Sequence, residues 1–214
     1  MTPNHPHDSP KSLKKVAVSG GAAVTIYPVE LAQGGRNGRI GWDADGIVFG
    51  QSGGIMRVSA NGGQPQVLVS VKDGEAVHGP QVLPGGEWVL FTVATAQTQK
   101  GWDNARIVVQ SLKTSERKTL VSGGSDGRYV PTGHLVYALG GVLFAVTFDL
   151  RNLAVAGGPV PVVEGVRRST TGLSGIAQFS VSSTGSLVFV PGPVARSGGS
   201  SISRSSIAPE RHSR

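Results

Sequence analysis

The amino-acid sequence predicts an all-β fold: a β-propeller fragment of three four-stranded antiparallel blades with a half blade at each end. Three observations predict it. A segment made of a tight turn followed by an apolar strand recurs four times. The first three copies sit inside the same four-strand order. No apolar stripe of helical period survives more than a turn without meeting glycine or proline.

The recurring segments are Asp45-Gly46-Ile47-Val48-Phe49, Gly85-Gly86-Glu87-Trp88-Val89-Leu90-Phe91, Thr132-Gly133-His134-Leu135-Val136-Tyr137 and Thr184-Gly185-Ser186-Leu187-Val188-Phe189. Their marker glycines, Gly46, Gly86, Gly133 and Gly185, stand 40, 47 and 52 residues apart. Blades of the WD and kelch types repeat at roughly 40–50 residues. Before each marker comes a strand: Arg39–Trp42, Gly79–Leu83, Arg128–Val130 and Ala177–Val181. After each of the first three come two more. The nearer are Ile55–Val58, Arg106–Val109 and Leu143–Val146, and the farther are Val67–Val69, Lys118–Val121 and Val160–Val163. Asn61-Gly62-Gly63, Thr114-Ser115-Glu116 and Gly157-Gly158 are the expected hairpin turns between them, because glycine and asparagine supply positive φ. Four sequential antiparallel strands make a propeller blade. A β-sandwich shares the short strands and frequent turns but does not repeat one four-part unit three times.

This phase divides the chain. Residues 1–12 are a disordered start and 13–192 hold the blades: a half blade at 13–35, full blades at about 36–77, 78–125 and 126–172, and a half blade at 173–192. The Ser/Arg-rich tail, 193–214, is expected to be disordered because it has too few apolar residues to bury. It reads as a truncated or frame-shifted gene end, or as an unrelated linker. The two half blades are complementary, last two strands and first two. Pairing them would close a four-bladed ring. Leaving them apart would expose edge strands, which favours self-association or a need for further blades. The open state is the expected one.

Composition narrows the function classes. Thirty-two glycines among 214 residues, without a three-residue period, fit a turn-rich β protein. With no cysteine there are no disulfides and no thiolate metal sites. The formal charge of +7 is concentrated at the end: the tail from Pro191 carries +3 and residues 13–190 only +4. Nucleic-acid binding needs a clustered basic face with stacking aromatics, so no nucleic-acid partner is expected. No run approaches the roughly 18 apolar residues of a membrane helix, and no secretory leader is visible. The chain as written is therefore expected to be cytoplasmic, or extracytoplasmic if it belongs to a longer protein.

Catalytic motifs are weak. Gly50-Gln51-Ser52-Gly53-Gly54 matches the Gly-x-Ser-x-Gly nucleophile elbow, which requires a strand, a sharp turn and a helix. Here it lies between two β runs, which makes it a hairpin. Asp43-Ala44-Asp45-Gly46 lacks the distal bidentate glutamate of a calcium loop, so a β-turn is the expectation. None of His5, His7, His78, His134 and His212 pairs at metal spacing in an ordered element. No catalytic residue, metal site or cofactor is assigned.

Two candidate interaction features remain. In a propeller the first strand of each blade lines the central channel. Seven or eight positions before the markers stand Arg39, His78, Asp126 and Gln178, four polar groups expected at the channel mouth. Trp102 sits in Thr95–Asn104, a polar insertion, and is expected exposed on a loop as an interaction residue. Trp42 and Trp88 flank marker turns and are expected to pack between blades.

The wording of the repeats carries a resemblance. Leu13–Gly21, Met56–Pro65, Tyr129–Tyr137 and Leu143–Asp149 resemble the WD-like, TolB-like propeller repeats found C-terminal to many bacterial serine/threonine protein kinases, and the likeness spans 13–192. The resemblance implies a non-catalytic binding or sensing module, the accessory domain of a kinase. The chain has no His-Arg-Asp catalytic loop, Asp-Phe-Gly or glycine-rich nucleotide loop, so kinase activity does not follow. Two other settings would use such a propeller. One is the substrate-gating portion of a prolyl-oligopeptidase-type hydrolase, the other a TolB-like periplasmic scaffold.

Overall fold

In the computed structural model, residues 12–28, 39–51, 53–169 and 174–193 are described. They form sixteen strands and one short helix. Strands β1 (Ser12–Lys15) and β2 (Val24–Pro28) pair as a two-stranded sheet. Blade 1 follows with β3 (Gly41–Asp43), β4 (Gly46–Gln51), β5 (Gly54–Val58) and β6 (Gln66–Ser70). Blade 2 has β7 (Ala76–Val82), β8 (Trp88–Ala94), β9 (Arg106–Ser111) and β10 (Arg117–Ser122), with helix α1 (Gln99–Asp103) between β8 and β9. Blade 3 has β11 (Ser125–Val130), β12 (His134–Leu139), β13 (Val142–Asp149) and β14 (Ala154–Glu164). A last pair, β15 (Phe179–Val181) and β16 (Leu187–Phe189), completes the order. Each four-stranded sheet is an antiparallel meander in chain order. The fold is thus the all-β propeller arrangement, with three complete blades flanked by two two-stranded sheets. The flanking sheets remain separate among the described residues.

Period-two alternation explains why the sheets stack. On β8, Val89, Phe91 and Val93 pack toward Ile55 and Val69 of blade 1, while Leu90 faces Leu135 and Tyr137 of blade 3. On β9, Val108 joins the first group and Ile107 and Val109 the second. A middle strand buried on both faces needs a nearly continuous apolar run, which Trp88–Ala94 supplies with Thr92 as its one polar member. The same logic seats Ile26 of β2 on Ile47, Phe49 and Val58, and Phe179 of β15 on Val136 and Leu143. Each such side chain contributes about 1.5–3 kcal/mol on burial. The outermost strand of blade 3 is an exposed edge. Pro159 and Pro161 remove two amide donors from β14 and so blunt it against pairing.

The β4–β5 hairpin settles the local context of the Gly50–Gly54 stretch. Gln51 pairs with Gly54, and an antiparallel strand follows rather than a helix. Ser52 itself lies outside the described residues. Gly54 has φ +136°, and a Cβ there would stand 1.9 Å from the Val69 carbonyl oxygen. Backbone cannot yield as a side chain can. Gly54→Ala should therefore destabilise the chain by about 3 kcal/mol. Urea denaturation checks this; a shift of less than about 1 kcal/mol would show that the hairpin relaxes freely.

One expectation changes in blade 3. Gly157 and Gly158 are not a turn; they lie within β14. The turn is Leu150–Leu153, where Asp149 Oδ1 accepts from the amides of Arg151 (2.8 Å) and Asn152 (3.1 Å), and Leu153 takes φ +50°. The first strand of the N-terminal pair is Ser12–Lys15; Val16 and Val18 stand exposed beyond it. Residues 1–11 and 194–214, where disorder is expected, lie outside the described residues.

Candidate functional site

The first strands of successive blades lie side by side: β3 contacts β7, and β7 contacts β11. Both β7 and β11 carry an irregularity at the same place. The register slips between His78 and Gln81 on β7 and between Ser125 and Arg128 on β11. At the slip, Gly79 has φ +62° and Asp126 φ +52°. A bulge of this kind re-aims a side chain. Aspartate is one of the few non-glycine residues that tolerates left-handed backbone. Blade 2 uses glycine there, and blade 3 uses the slot to turn a carboxylate inward.

Asp126 is fully buried. Its Oδ2 accepts from the Arg128 guanidinium at 3.0 Å and from the Ala177 amide at 3.0 Å. Its Oδ1 faces His78 Nε2 at 3.6 Å and Arg39 Nη1 at 4.0 Å, beyond hydrogen-bond reach of both. These three facing atoms, Asp126 Oδ1, His78 Nε2 and Arg39 Nη1, are buried without hydrogen-bond partners among the described residues. Burial alone would raise the Asp126 pKa. His78 and Arg128 outweigh it and hold the carboxyl below the usual range. Burial and the Arg128 charge lower the Arg39 pKa to about 10, partly offset by Asp126. Arg39 therefore remains a cation near neutrality.

Arg128 is the most connected member. It donates to the carbonyls of Phe179 and Ala177 as well as to Asp126, and its guanidinium carbon lies 3.6 Å from the Phe179 ring centroid. It ties blade 3 to the β15–β16 sheet. The signal in the sequence was the Asp126-Gly127-Arg128 spacing, but its partners lie some 50 residues on, so sequence reasoning missed it.

Arg39, Asp126, Arg128, Gln178 and Ser180 line one open cleft of about 460 Å³. Three of the four residues placed at the channel mouth by sequence, Arg39, Asp126 and Gln178, thus border a common space. His78 stands behind Asp126, 2% exposed. Adjacent Ser125 is also fully buried and its hydroxyl makes no hydrogen bond among the described residues, so the His78–Asp126 pair does not extend to that hydroxyl. At the far end of the same strands a second, more apolar cleft of about 360 Å³ is bordered by Asp43, Asp45, Gln81, Pro84 and Tyr129. There Asp43 Oδ1 accepts from the amides of Asp45 and Gly46, which is the β-turn, and both carboxylates face Arg57, Asp43 at 2.8 Å and Asp45 at 3.5 Å. Among the described residues, no three metal-ligating side chains cluster. His5, His7 and His212 lie outside them.

The tryptophans correct the sequence reading. Trp102 is not on an exposed loop. The insertion folds into α1, where the Thr98 hydroxyl caps the Gly101 amide at 2.9 Å, and turns Trp102 inward to 2% exposure. Its ring meets His78 edge-on at 5.9 Å and rests against the backbone of Gly175, where a Cβ would come within 2.8 Å of it. A large apolar side chain escapes water wherever the chain reaches a neighbouring blade, and composition of the loop does not reveal that reach. Trp42 is 63% exposed instead of packing between blades. Trp88 is half-buried on the blade 2–blade 3 core, with Lys118 over its ring.

The architecture has counterparts among solved structures. One chain of a crystal structure of a nidogen/laminin complex superposes with a TM-score of 0.50 at 17% identity, covering 64% of this chain and 52% of its own length. That likeness is one of fold. An oligogalacturonate lyase in complex with manganese aligns over 72% of this chain and 42% of its own at 14% identity, with a TM-score of 0.48. The chain spans about half the length of these proteins or less. No family model matches the sequence, and no curated protein does. Among the described residues no helix is long and apolar enough to cross a membrane.

Proposed function

We propose that the chain is a non-catalytic β-propeller binding module whose ligand seats in the axial cleft between Arg39, Arg128 and Gln178. One observation carries the reading: the charged groups of Arg39, at the entry of blade 1, and of Asp126 and Arg128 in blade 3 converge with Gln178 on one open space, where Arg39 Nη1 and Asp126 Oδ1 keep hydrogen-bonding capacity unspent among the described residues. Natural folds rarely leave buried polar atoms unpaired without a use for them. The lone Ser125 hydroxyl and the fixed role of Asp126 in ion pairing favour binding over nucleophilic chemistry. The setting we propose is the one its repeats resemble, an accessory sensing domain of a bacterial serine/threonine kinase.

Titration calorimetry of the purified chain against a metabolite and peptide panel, with the ligand analysed afterwards, is the test. We expect saturable binding, a thermal stabilisation of about 2.7 kcal/mol at a hundredfold excess over Kd, and ligand recovered unchanged. Recovery of a chemically altered ligand would make the chain an enzyme and end the binding-module reading.

A further inference from the structure

We propose that the axial cleft is selective for a carboxylate, gripped by the guanidinium of Arg39; this rests on the binding-module reading above. Charge is the first argument. Arg39 and Arg128 face the single carboxylate of Asp126, so one positive charge is in excess even with His78 neutral. The second is availability. Arg128 is committed to Asp126, to two carbonyls and to the Phe179 ring. Arg39 is not: among the described residues its one ionic partner stands 4.0 Å away, and its Nη1 is buried with no acceptor. The Arg39 side chain keeps 27% of its surface exposed where it borders the cleft, so the guanidinium can take an incoming acceptor there. A planar guanidinium fork matches a planar carboxylate with two parallel bonds.

Backbone geometry separates carboxylate from phosphate. Phosphate sites recruit several free amides from a helix N-terminus or a nest. On this wall three successive amides are used. Ala177 donates to Asp126, Gln178 to the Arg167 carbonyl at 2.8 Å, and Phe179 to the Ala177 carbonyl at 3.0 Å. A dianion would also meet the Asp126 carboxylate, which borders the cleft and stays ionised. A single planar negative charge pairs with Arg39 and meets less of that repulsion. Gln178 and Ser180, both exposed on the same wall, present an amide and a hydroxyl to the rest of the ligand.

The experiment titrates the folded chain at low salt with lactate, with an N-acetylated tripeptide bearing a free C-terminus, with the same tripeptide amidated, and with inorganic phosphate. At least one carboxylate probe should bind, and which one does tells a small acid from a peptide terminus. Arg39→Gln should weaken that probe by about tenfold or more, the loss of a charge-assisted pair. Arg39→Lys keeps the charge and loses the fork, so it should weaken binding by a smaller factor while guarding against a folding defect. Lys113→Gln, on an exposed side chain elsewhere, should leave affinity unmoved. Phosphate binding as tight as either carboxylate, and lost in Arg39→Gln, would overturn the carboxylate assignment while leaving the cleft as the site. Carboxylate binding indifferent to Arg39 would overturn both. Failure of both carboxylate probes to bind at about 10 mM, a weaker interaction than any specific site, would overturn the carboxylate proposal alone.

Discussion

Asp126→Asn should lower the stability of the chain by about 3 kcal/mol or more, within the range for breaking a buried ion pair. The substitution is nearly isosteric, and asparagine accepts the φ of +52° as readily as aspartate, so backbone strain does not enter. What changes is charge and lone pairs. If the asparagine oxygen keeps the Oδ2 position, it still accepts from Arg128 and Ala177, but its amino group then faces Arg39 and His78. Two guanidinium groups remain with no buried anion between them. The sign of the pH dependence follows. The folded pKa of Asp126 is depressed below the unfolded value of about 3.9, so its contribution is present above that value and is lost as pH falls through the folded one. Wild-type stability should therefore drop in acid by more than that of the variant. Urea denaturation at about pH 7 and at about pH 3 measures both effects. A neutral-pH difference below about 1 kcal/mol would mean that the cluster is held by packing and not by its charges.

How far the sequence reveals this molecule depends on the range of the interactions involved. The blade phase was legible because period-two alternation and marker turns are local, as Trp88–Ala94 and its glycine turn show. A repeat also converts linear positions into angular ones. That is why Arg39, Asp126 and Gln178, equally placed before their markers, border one cleft. His78 is one position out of phase with them, and it reaches Asp126 because a bulge intervenes. Glycine misled at Gly157 and Gly158, where an edge strand tolerates it. The true turn at Leu150–Leu153 is built by an Asp149 side chain and a leucine with positive φ, which turn statistics disfavour. Arg128 stayed hidden for the opposite reason. Its chemistry is ordinary, and only the arrival of Ala177 and Phe179 makes it a hub.

Trp102→Ala should cost about 3–5 kcal/mol, the usual penalty for emptying a buried aromatic site. An exposed interaction residue would change stability by less than about 0.5 kcal/mol, so the same measurement separates the two positions for this side chain. The loss should not be confined to packing. The indole lies edge-on to His78 and fills the space against Gly175, and the segment around Gly175 leads directly to Ala177, whose amide holds Asp126. Removing the ring therefore frees both the imidazole behind the carboxylate and the backbone in front of it. Trp102→Phe keeps most of the apolar contact, and should recover about half of the lost stability. If Trp102→Ala weakens ligand binding in the axial cleft while Lys113→Gln does not, α1 acts as the back wall of that cleft. If stability falls and binding is untouched, the helix is a plug for the blade and the cleft is held by its ion pairs alone.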